Sequence, residues 1–192
     1  EIMYVFYQAT KMNNLIIKIL KNGGVGILLT DTLYGLVGRA LDKKAIKRIY
    51  RIKGRNNKKP LIILISSAKD LKLFGVKLNK QTKKTVENLW PGSVSVILPC
   101  LSKKFTYLHR GTKTLAFRLP GKKPLLDILK KTGPLVAPSA NPEEKPPAQN
   151  IKEAKIYFGD RVDFYLKGGK PRSKPSDIIK ISDEKIEFIR KQ

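Results

Sequence analysis

Four short polar segments carry the side chains of this sequence that could bind a ligand. They comprise residues 30–36, 53–56, 139–141 and 174–176, and each lies beside an apolar run that predicts a strand or a helix. Their hydroxyl, amide, ammonium and guanidinium groups are the usual partners of phosphate, ribose and carboxylate oxygens. Because folds present binding chemistry on loops held by a rigid scaffold, we expect the four segments to meet at one site.

The strongest local signal is a group of cations at the end of a predicted helix. Lys53 and Arg55, followed by Lys58 and Lys59, precede a buried strand. There they could hold a triphosphate and neutralise the charge that develops at phosphorus. A helix C-terminus also favours Lys and Arg by itself. That alternative accounts for Lys53, but less well for Arg55 and the lysine pair.

The other segments offer neutral polar groups, and a further arginine, Arg118, lies outside the four segments. Thr32 could bind a small polar ligand, and Gly35 would let the backbone approach it closely. Arg118 ends an apolar strand, and its guanidinium suits a carboxylate. Ser139 and Asn141 could hold phosphate or ribose oxygens. For each residue a structural role is the alternative: a strand-to-turn connection, a solvated strand end or a capped turn.

Composition restricts the class of protein. A chain of 192 residues, 41% of them hydrophobic, can bury a substantial core, and we expect one domain over residues 1–192. A single cysteine, Cys100, excludes an intrachain disulfide, and with a single histidine, His109, it argues against a zinc site. We expect a reducing, cytoplasmic location. No apolar run reaches membrane-spanning length and no signal peptide is evident, so we expect no membrane association.

The charge of the chain is unusual. There are 40 Lys and Arg residues against 15 Asp and Glu residues, a formal net charge of +25. Such a field attracts polyanions without regard to their sequence. It fits RNA, DNA or an anionic nucleotide, and it equally fits a solvated lysine-rich surface. Both interpretations stay open at the level of composition.

Apolar periodicity predicts interleaved helices and strands, and therefore an α/β fold with a mixed sheet. Helices are expected over 13–22, 43–53, 67–73, 80–89, 124–132 and 151–158, and strands over 25–29, 61–65, 93–98, 114–118, 135–137, 163–166, 177–181 and 185–189. The first helix should bury Leu15, Ile16, Ile19 and Leu20. Neither a G-x-x-x-x-G-K-[ST] loop nor a G-x-G-x-x-G motif is present, so a P-loop or Rossmann nucleotide site is not supported.

Together, the polar segments resemble the motifs of the YrdC-like family of threonylcarbamoyl-AMP synthases, over about residues 24–190. The matches, in chain order, are residues 30–36, Lys53 and Arg55 (Lys-x-Arg), Thr114, Arg118 and Pro120 (Thr-x-x-x-Arg-x-Pro), Ser139 and Asn141 (Ser-Ala-Asn), Pro175 and Ser176, and Arg190. The chain departs from the family after Asn141, where Pro142-Glu143-Glu144 replaces x-Ser-Gly, and after Ser176, where Asp177 replaces Thr.

The resemblance implies a single-domain YrdC-like fold, a twisted mixed sheet flanked by helices, with a basic concave cavity. It implies a nucleotidyltransferase that joins L-threonine, bicarbonate or CO2, and ATP into threonylcarbamoyl-AMP and pyrophosphate, the first step toward threonylcarbamoyladenosine in tRNA. Mg²⁺ would arrive with ATP, and no metal would be held by protein side chains. The product would pass to a separate transferase complex, and tRNA or double-stranded RNA would bind without specificity.

The resemblance also implies roles for individual residues. L-Threonine would contact Thr32, Arg118 and Ser176. ATP would contact Lys53, Arg55, Lys59, Thr114, Ser139, Asn141 and Arg190, of which Lys53 and Arg55 would be catalytic. For Arg190, a cationic tail is the alternative.

Two other functions remain as alternatives. One is an RNA-binding module of the same fold without catalysis. The other is a carbamoyl-transfer domain like that of the hydrogenase-maturation relatives, for which the chain lacks the length and the cysteines.

Overall fold

The computed structural model describes residues 2–172, 174–182 and 185–191. The α-helices are α1 (Ile2–Lys21), α2 (Lys43–Lys53), α3 (Lys80–Leu89), α4 (Thr106–His109), α5 (Lys123–Thr132) and α6 (Ile151–Phe158). The strands are β1 (Gly26–Leu29), β2 (Tyr34–Arg39), β3 (Ile62–Leu64), β4 (Val94–Pro99), β5 (Thr114–Arg118), β6 (Leu135–Val136), β7 (Phe164–Tyr165), β8 (Asp177–Ser182) and β9 (Lys185–Arg190). None of these helices is long and apolar enough to cross a bilayer.

The strands form one mixed sheet. Within the described residues its order is β7-β1-β2-β6-β3-β5-β4-β8-β9. The pairs β7–β1, β3–β5 and β4–β8 are parallel, and the other neighbouring pairs are antiparallel. The predicted α/β class, with a mixed sheet between helices, is therefore confirmed.

Alternation along each strand sends side chains to opposite faces of the sheet. In β1, Leu28 belongs to the apolar cluster that α1 and α5 form on one face, together with Ile16 and Ile128. Its neighbour Ile27 belongs to the cluster on the other face, which includes Ile46 of α2. Because the strands are apolar on both faces, helices cover the sheet on both sides.

Strand β5 shows how the same alternation separates core from cavity. Leu115 and Phe117 are buried in the larger apolar cluster. Thr114, Ala116 and Arg118 point to the opposite face, where they line an open cavity. Alternate residues of this strand thus belong to the core, and the residues between them, including Thr114 and Arg118, face the cavity.

Caps fix the ends of the helix that precedes the predicted cation loop. The Asp42 carboxylate accepts hydrogen bonds from the backbone N–H groups of Lys44 and Ala45, which begins α2. Gly54 ends it in the left-handed conformation, with φ at 62°. Both ends lie where the sequence predicts them, because an acidic N-cap and a C-terminal glycine are strong local signals. Arg55 therefore begins a loop.

Two expectations about the first helix were wrong, and two elements were not predicted. The first helix begins at Ile2 rather than at residue 13, and Leu15 is 55% exposed because the buried face centres on Ile16, Ile17 and Leu20. The helix expected over 67–73 is present over Ala68–Phe74, as a 3₁₀ helix. Strand β2 and helix α4 were not predicted from the sequence.

The missed strand β2 contains two glycines, which weaken the sequence signal for a strand. Both are needed for close packing. A side chain at Gly38 would place its Cβ 3.0 Å from Ile49 of α2 and 3.0 Å from Val25. Residues 183 and 184, expected at the tip of the last hairpin, lie outside the described residues.

Candidate active site

The polar segments meet at a cavity of about 560 Å³, which is lined in part by residues of the sheet such as Ile97 and Thr114. Seven of the ten residues predicted to bind ligand line it: Thr32, Arg55, Thr114, Arg118, Ser139, Ser176 and Arg190. The other three, Lys53, Lys59 and Asn141, lie behind or beside its wall. The lining contains three arginines and no Asp or Glu among the described residues, and apolar side chains such as Ile62, Ile97 and Ile178 form its floor.

The segment after β1 and the segment after β6 are joined through their backbones. Gly35 and Ser139 form an antiparallel bridge. The N–H of Leu36 donates to Pro138 O at 2.9 Å, and the N–H of Ala140 donates to Tyr34 O at 2.8 Å. A Cβ at Gly35 would lie 3.2 Å from Thr30 Cγ2. The close approach that Gly35 permits is thus to the methyl group of Thr30 in the same chain.

A hydroxyl network shapes the turn that holds Thr32. Thr30 Oγ1 donates to Leu33 O at 2.7 Å and lies 3.2 Å from Thr32 Oγ1. The Thr32 carbonyl accepts from the backbone N–H of Arg172 at 2.8 Å, which ties this turn to the segment before β8. Thr32 is 4% exposed, so its hydroxyl reaches the cavity from a fixed, largely buried position.

Arg118 pairs with a carboxylate that the sequence did not assign to the site. Its Nη2 lies 3.0 Å from Asp31 Oδ1, and the two side chains are 4% and 11% exposed. The pair is not aligned as a hydrogen bond, and both Asp31 Oδ1 and Arg118 Nε lack a hydrogen-bond partner among the described residues. Burial lowers the pKa of Arg118, and Asp31 opposes that shift. The guanidinium therefore keeps donor capacity for a second anion.

Lys53 lies beneath the Ser139 turn rather than in the cavity. Its Nζ donates to Ser139 O at 2.8 Å, to Asn141 O at 2.6 Å and to Asn141 Oδ1 at 3.0 Å. These contacts occupy all three donors of the ammonium group. Burial lowers the pKa of Lys53 to about 8, with a smaller contribution from Arg55. Lys53 thus holds the turn that presents Ser139.

The amide of Asn141 fixes the same turn from within. Its Nδ2 donates to Pro142 O at 2.9 Å and to Lys145 O at 2.6 Å. Asn141 is 8% exposed, and its side-chain oxygen is bonded to Lys53. Lys53 and Asn141 therefore form the support of the cavity wall.

Arg55 extends along its own loop into the cavity. Its Nε donates to Lys59 O at 3.2 Å and its Nη2 to Pro60 O at 2.9 Å. Lys59 is directed toward Glu143, with 2.5 Å between Nζ and Oε1. The Glu143 carboxylate also accepts from the backbone N–H of Asn56. The residue that departs from the family pattern therefore joins the Arg55 loop to the Ser139 segment.

Ser176 is held from below and from the side. Its hydroxyl lies 3.1 Å from that of Ser95, which is fully buried in β4. Arg190 donates through Nε and Nη2 to the Ser176 carbonyl, at 3.0 and 2.7 Å. Arg190 is thus ordered by the Ser176 backbone and lines the cavity at the same time. Burial lowers the pKa of Arg190.

Sequence reasoning missed Asp31, Ser95 and the contacts of Glu143. Asp31 lies within the segment 30–36 that resembles the family motif. An acid beside the end of a buried strand is a signal for a cationic partner, here Arg118. Glu143 was noted as a departure, but its partners lie more than 80 residues away in the chain. Ser95 sits in an ordinary strand, and only the register with β8 brings it to Ser176.

The lining of the cavity has the chemistry that suits anionic small molecules. Three guanidinium groups converge on a cavity whose walls carry hydroxyls and whose floor is apolar. Guanidinium forks match carboxylate and phosphate oxygens, and apolar surface accommodates a base or a side chain. The site could therefore hold two anions side by side.

The chain belongs to the Sua5/YciO/YrdC family, because the family model of that name, described as telomere recombination, matches residues 18–192. The chain is 30% identical to the threonylcarbamoyl-AMP synthase of Pyrococcus abyssi over 80% of its length, and it covers 45% of that protein. It is 34% identical to the threonylcarbamoyl-AMP synthase of Nitrosococcus oceani, over 84% of this chain and 88% of that protein.

A solved structure agrees with these matches. The crystal structure of P. abyssi Sua5 complexed with L-threonine has a TM-score of 0.83 and 27% identity, over 93% of this chain and 53% of that one. The chain thus spans about half the length of the P. abyssi proteins. The predicted family and the twisted mixed α/β fold flanked by helices are confirmed.

Proposed function

We propose that this protein is a threonylcarbamoyl-AMP synthase, which forms L-threonylcarbamoyl-AMP and pyrophosphate from L-threonine, bicarbonate or CO2, and ATP. The observation that carries the proposal is the convergence of Arg118, Thr32 and Ser176 with Arg55 and Ser139 on one cavity. A relative of the same fold binds L-threonine, and relatives of similar sequence are threonylcarbamoyl-AMP synthases.

The amino acid would occupy the part of the cavity around Arg118. The guanidinium has an unpartnered Nε and would take the threonine carboxylate, while Asp31 balances its charge from behind. Thr32 and Ser176, both nearly buried, would fix the polar groups of threonine. Since their hydroxyls are held by neighbouring residues, little side-chain entropy is lost when the ligand binds.

The nucleotide would occupy the part around Arg55 and Ser139. Arg55 and Lys59 would contact phosphates, and Thr114 and Arg190, which line the same cavity as Arg55, would contact the nucleotide as well. Lys53 and Asn141 would act through the Ser139 turn, because the donors of Lys53 are already bonded to that turn. We therefore propose Lys53 as a positioning residue and Arg55 as the group that contacts the reacting phosphate.

The reaction would need no nucleophile from the protein. The threonine amine forms a bond to CO2 and loses a proton, which gives a carbamate. A carbamate oxygen then attacks the α-phosphorus, and the bond to pyrophosphate breaks. Both reactants are anionic, so the protein's contribution would be alignment and the neutralisation of charge by Arg55 and Arg118.

Mg²⁺ would enter with ATP and neutralise phosphate charge. Within the part of the chain that the structure describes, no three His, Cys, Asp or Glu side chains group around a possible metal position. Glu143, the carboxylate beside Lys59, is already bonded to Lys59 and Asn56. The residues therefore fit a metal carried on phosphate oxygens and not one caged by the protein.

Two further parts of the proposal concern location and partners. We propose a cytoplasmic enzyme whose product passes to a separate threonylcarbamoyl transferase complex. RNA binding without catalysis is the second candidate, since the charge of +25 would attract tRNA. It accounts less well for a cavity lined by fixed hydroxyls and arginines, which a pure RNA-binding surface does not need.

Pyrophosphate release tests the proposal. Purified protein should release pyrophosphate from Mg-ATP when both L-threonine and bicarbonate are present, and Arg55→Ala should lower the rate by about 10²–10³-fold, as for loss of a charged transition-state contact. Arg51→Ala, which removes an exposed cation four residues earlier in α2, is the matched control and should retain activity. Hydrolysis of ATP to ADP at a rate that does not depend on L-threonine would contradict the proposal.

A further inference from the structure

Glu143 occupies a position between two donors that would suit a phosphate. Its carboxylate accepts from the backbone N–H of Asn56 and from the ammonium group of Lys59. Arg55, next to Asn56 in the chain, lines the cavity, as does Pro60, next to Lys59. A backbone N–H beside an ammonium group is a common way of holding a phosphate oxygen. In this structure both donors are hydrogen-bonded to the carboxylate of Glu143.

The backbone keeps Glu143 at this place. Its N–H donates to Lys53 O at 2.8 Å, which links the residue to the end of α2. The side chain of Glu143 is 21% exposed, whereas that of Lys59 is 58% exposed. The carboxylate is thus the less exposed partner, and the more exposed Lys59 has room to turn toward solvent or a ligand. The hydrogen bond from Lys59, and then that from Asn56, hold the pKa of Glu143 below its ordinary value, so it stays anionic.

A carboxylate at this position could affect phosphate binding, or it could only support the loop. A phosphate that approaches Lys59 meets a negative charge that must move or be tolerated, because like charges at short range disfavour each other. Alternatively, the carboxylate could only hold the Asn56 loop in shape. Arg55 makes its own bonds to the carbonyls of Lys59 and Pro60, so this loop already has an internal support.

We propose that Glu143 determines nucleotide affinity by occupying the phosphate position at Asn56 and Lys59, so that ATP binds only by displacing its carboxylate. The inference rests on the proposed function for the identity of the nucleotide. It predicts an enzyme with weaker ATP binding than a neutral residue at this position would give.

The test compares Glu143→Gln with Glu144→Gln by calorimetric titration with Mg-ATP, without L-threonine or bicarbonate. Both variants lose one negative charge, but Glu144 is exposed, and no hydrogen bond or ion pair is seen for it among the described residues. Glu143→Gln should bind Mg-ATP about three- to tenfold more tightly, because a partly exposed ion pair has been removed from competition. Glu144→Gln should change the affinity less than twofold.

Two further arms localise the effect. Adenosine, which has no phosphate, should bind equally to the wild type and to Glu143→Gln, whereas inorganic triphosphate should show the same gain as ATP. In a Lys59→Gln background the gain from Glu143→Gln should largely disappear, because the two side chains share one contact. Circular dichroism should show an unchanged fold for all variants.

Unchanged or weaker ATP binding by Glu143→Gln would overturn the inference and would assign the carboxylate to loop support. An equal gain in Glu144→Gln would also overturn it, since the effect would then be a general field. The titrations involve no turnover. Failure of the wild type to release pyrophosphate would therefore contradict the proposed function and not this inference.

Discussion

At the scale of single residues, the site depends on polar side chains that other side chains hold in place. Arg118 is held by Asp31, Ser176 by Ser95 and Arg190, and Ser139 by Lys53. Arg118, Ser176 and Ser139 face the cavity, and Asp31, Ser95 and Lys53 support them without lining it. A substitution in a support should therefore affect ligand binding without removing a contact to the ligand.

Asp31→Asn tests the most buried of these pairs. It leaves the Arg118 guanidinium without a counter-charge in a buried place, and removal of one partner from such a pair costs about 3–5 kcal/mol. We expect a loss near the lower end of that range, because asparagine keeps the shape and an acceptor oxygen. Urea unfolding of the variant against the wild type measures it.

Asp160→Asn is the control for this measurement. Asp160 is exposed, and the same change of charge there should alter the free energy of unfolding by less than about 0.5 kcal/mol. Equal stability of Asp31→Asn and the wild type would mean that the pair contributes nothing to the fold. Arg118 would then have to be charged and buried without help from Asp31.

At the scale of elements, local signals predicted most helix and strand ends, and partners distant in sequence explain what they missed. Asp42, Gly54 and Asn150 cap helices where expected, because each acts within a few residues of itself. The role of Lys53 could not be predicted in this way. As a residue it is an ordinary cation at a helix end, and its acceptors lie 86 and 88 residues away.

The candidate site was predicted more completely as a set of motifs than as a set of contacts. Seven of the residues that the motifs predicted to bind ligand line the cavity. It did not separate those that face the cavity from those that support it, such as Asn141. That distinction depends on the register of strands and on the direction of side chains, which motif spacing does not contain.

The turn after Asn141 leads to a prediction about backbone strain. Glu144 has a φ of 71°, in the left-handed region, at the position where the family motif has Gly. A residue with a Cβ in this conformation destabilises the folded state by about 1–2 kcal/mol. Glycine removes that strain, but it loses more backbone entropy on folding, which offsets about 0.5–1 kcal/mol of the gain. We expect Glu144→Gly to raise the free energy of unfolding by about 0.5–1 kcal/mol in denaturant titration.

Alanine at the same position separates strain from charge. Glu144→Ala removes the carboxylate but keeps a Cβ in the left-handed region, so it should give no comparable gain. A gain of the same size with alanine would show that charge, rather than backbone conformation, sets the stability of this turn.

At the scale of the whole molecule, the positive charge is spread over the surface. Among the described side chains, Lys53 and Arg118 are the two buried Lys or Arg residues. The other Lys and Arg side chains are at least partly exposed, and the cavity lining contains no Asp or Glu among the described residues. Composition revealed the total charge but could not say whether the lysines form a footprint for RNA, because that depends on their arrangement in three dimensions.

Binding of tRNA tests the meaning of this charge. We expect only non-specific binding, whose logarithmic affinity falls linearly with the logarithm of salt, by about 0.7–0.9 for each phosphate contacted. Fluorescence titrations of tRNA at several salt concentrations measure this slope, with heparin as the competitor. A tRNA complex that persists at physiological salt and resists heparin would contradict the expectation.

The anchoring of the Ser139 turn by Lys53 has a consequence for how the family can diversify. Two of the three acceptors of the Lys53 ammonium are backbone carbonyls, those of Ser139 and Asn141. Every amino acid offers such a carbonyl, so this anchor does not depend on which side chains follow in positions 142–144. We therefore expect that positions 142–144 can be substituted, in evolution or by design, with an effect on nucleotide binding but with the Ser139 turn still held in place by Lys53.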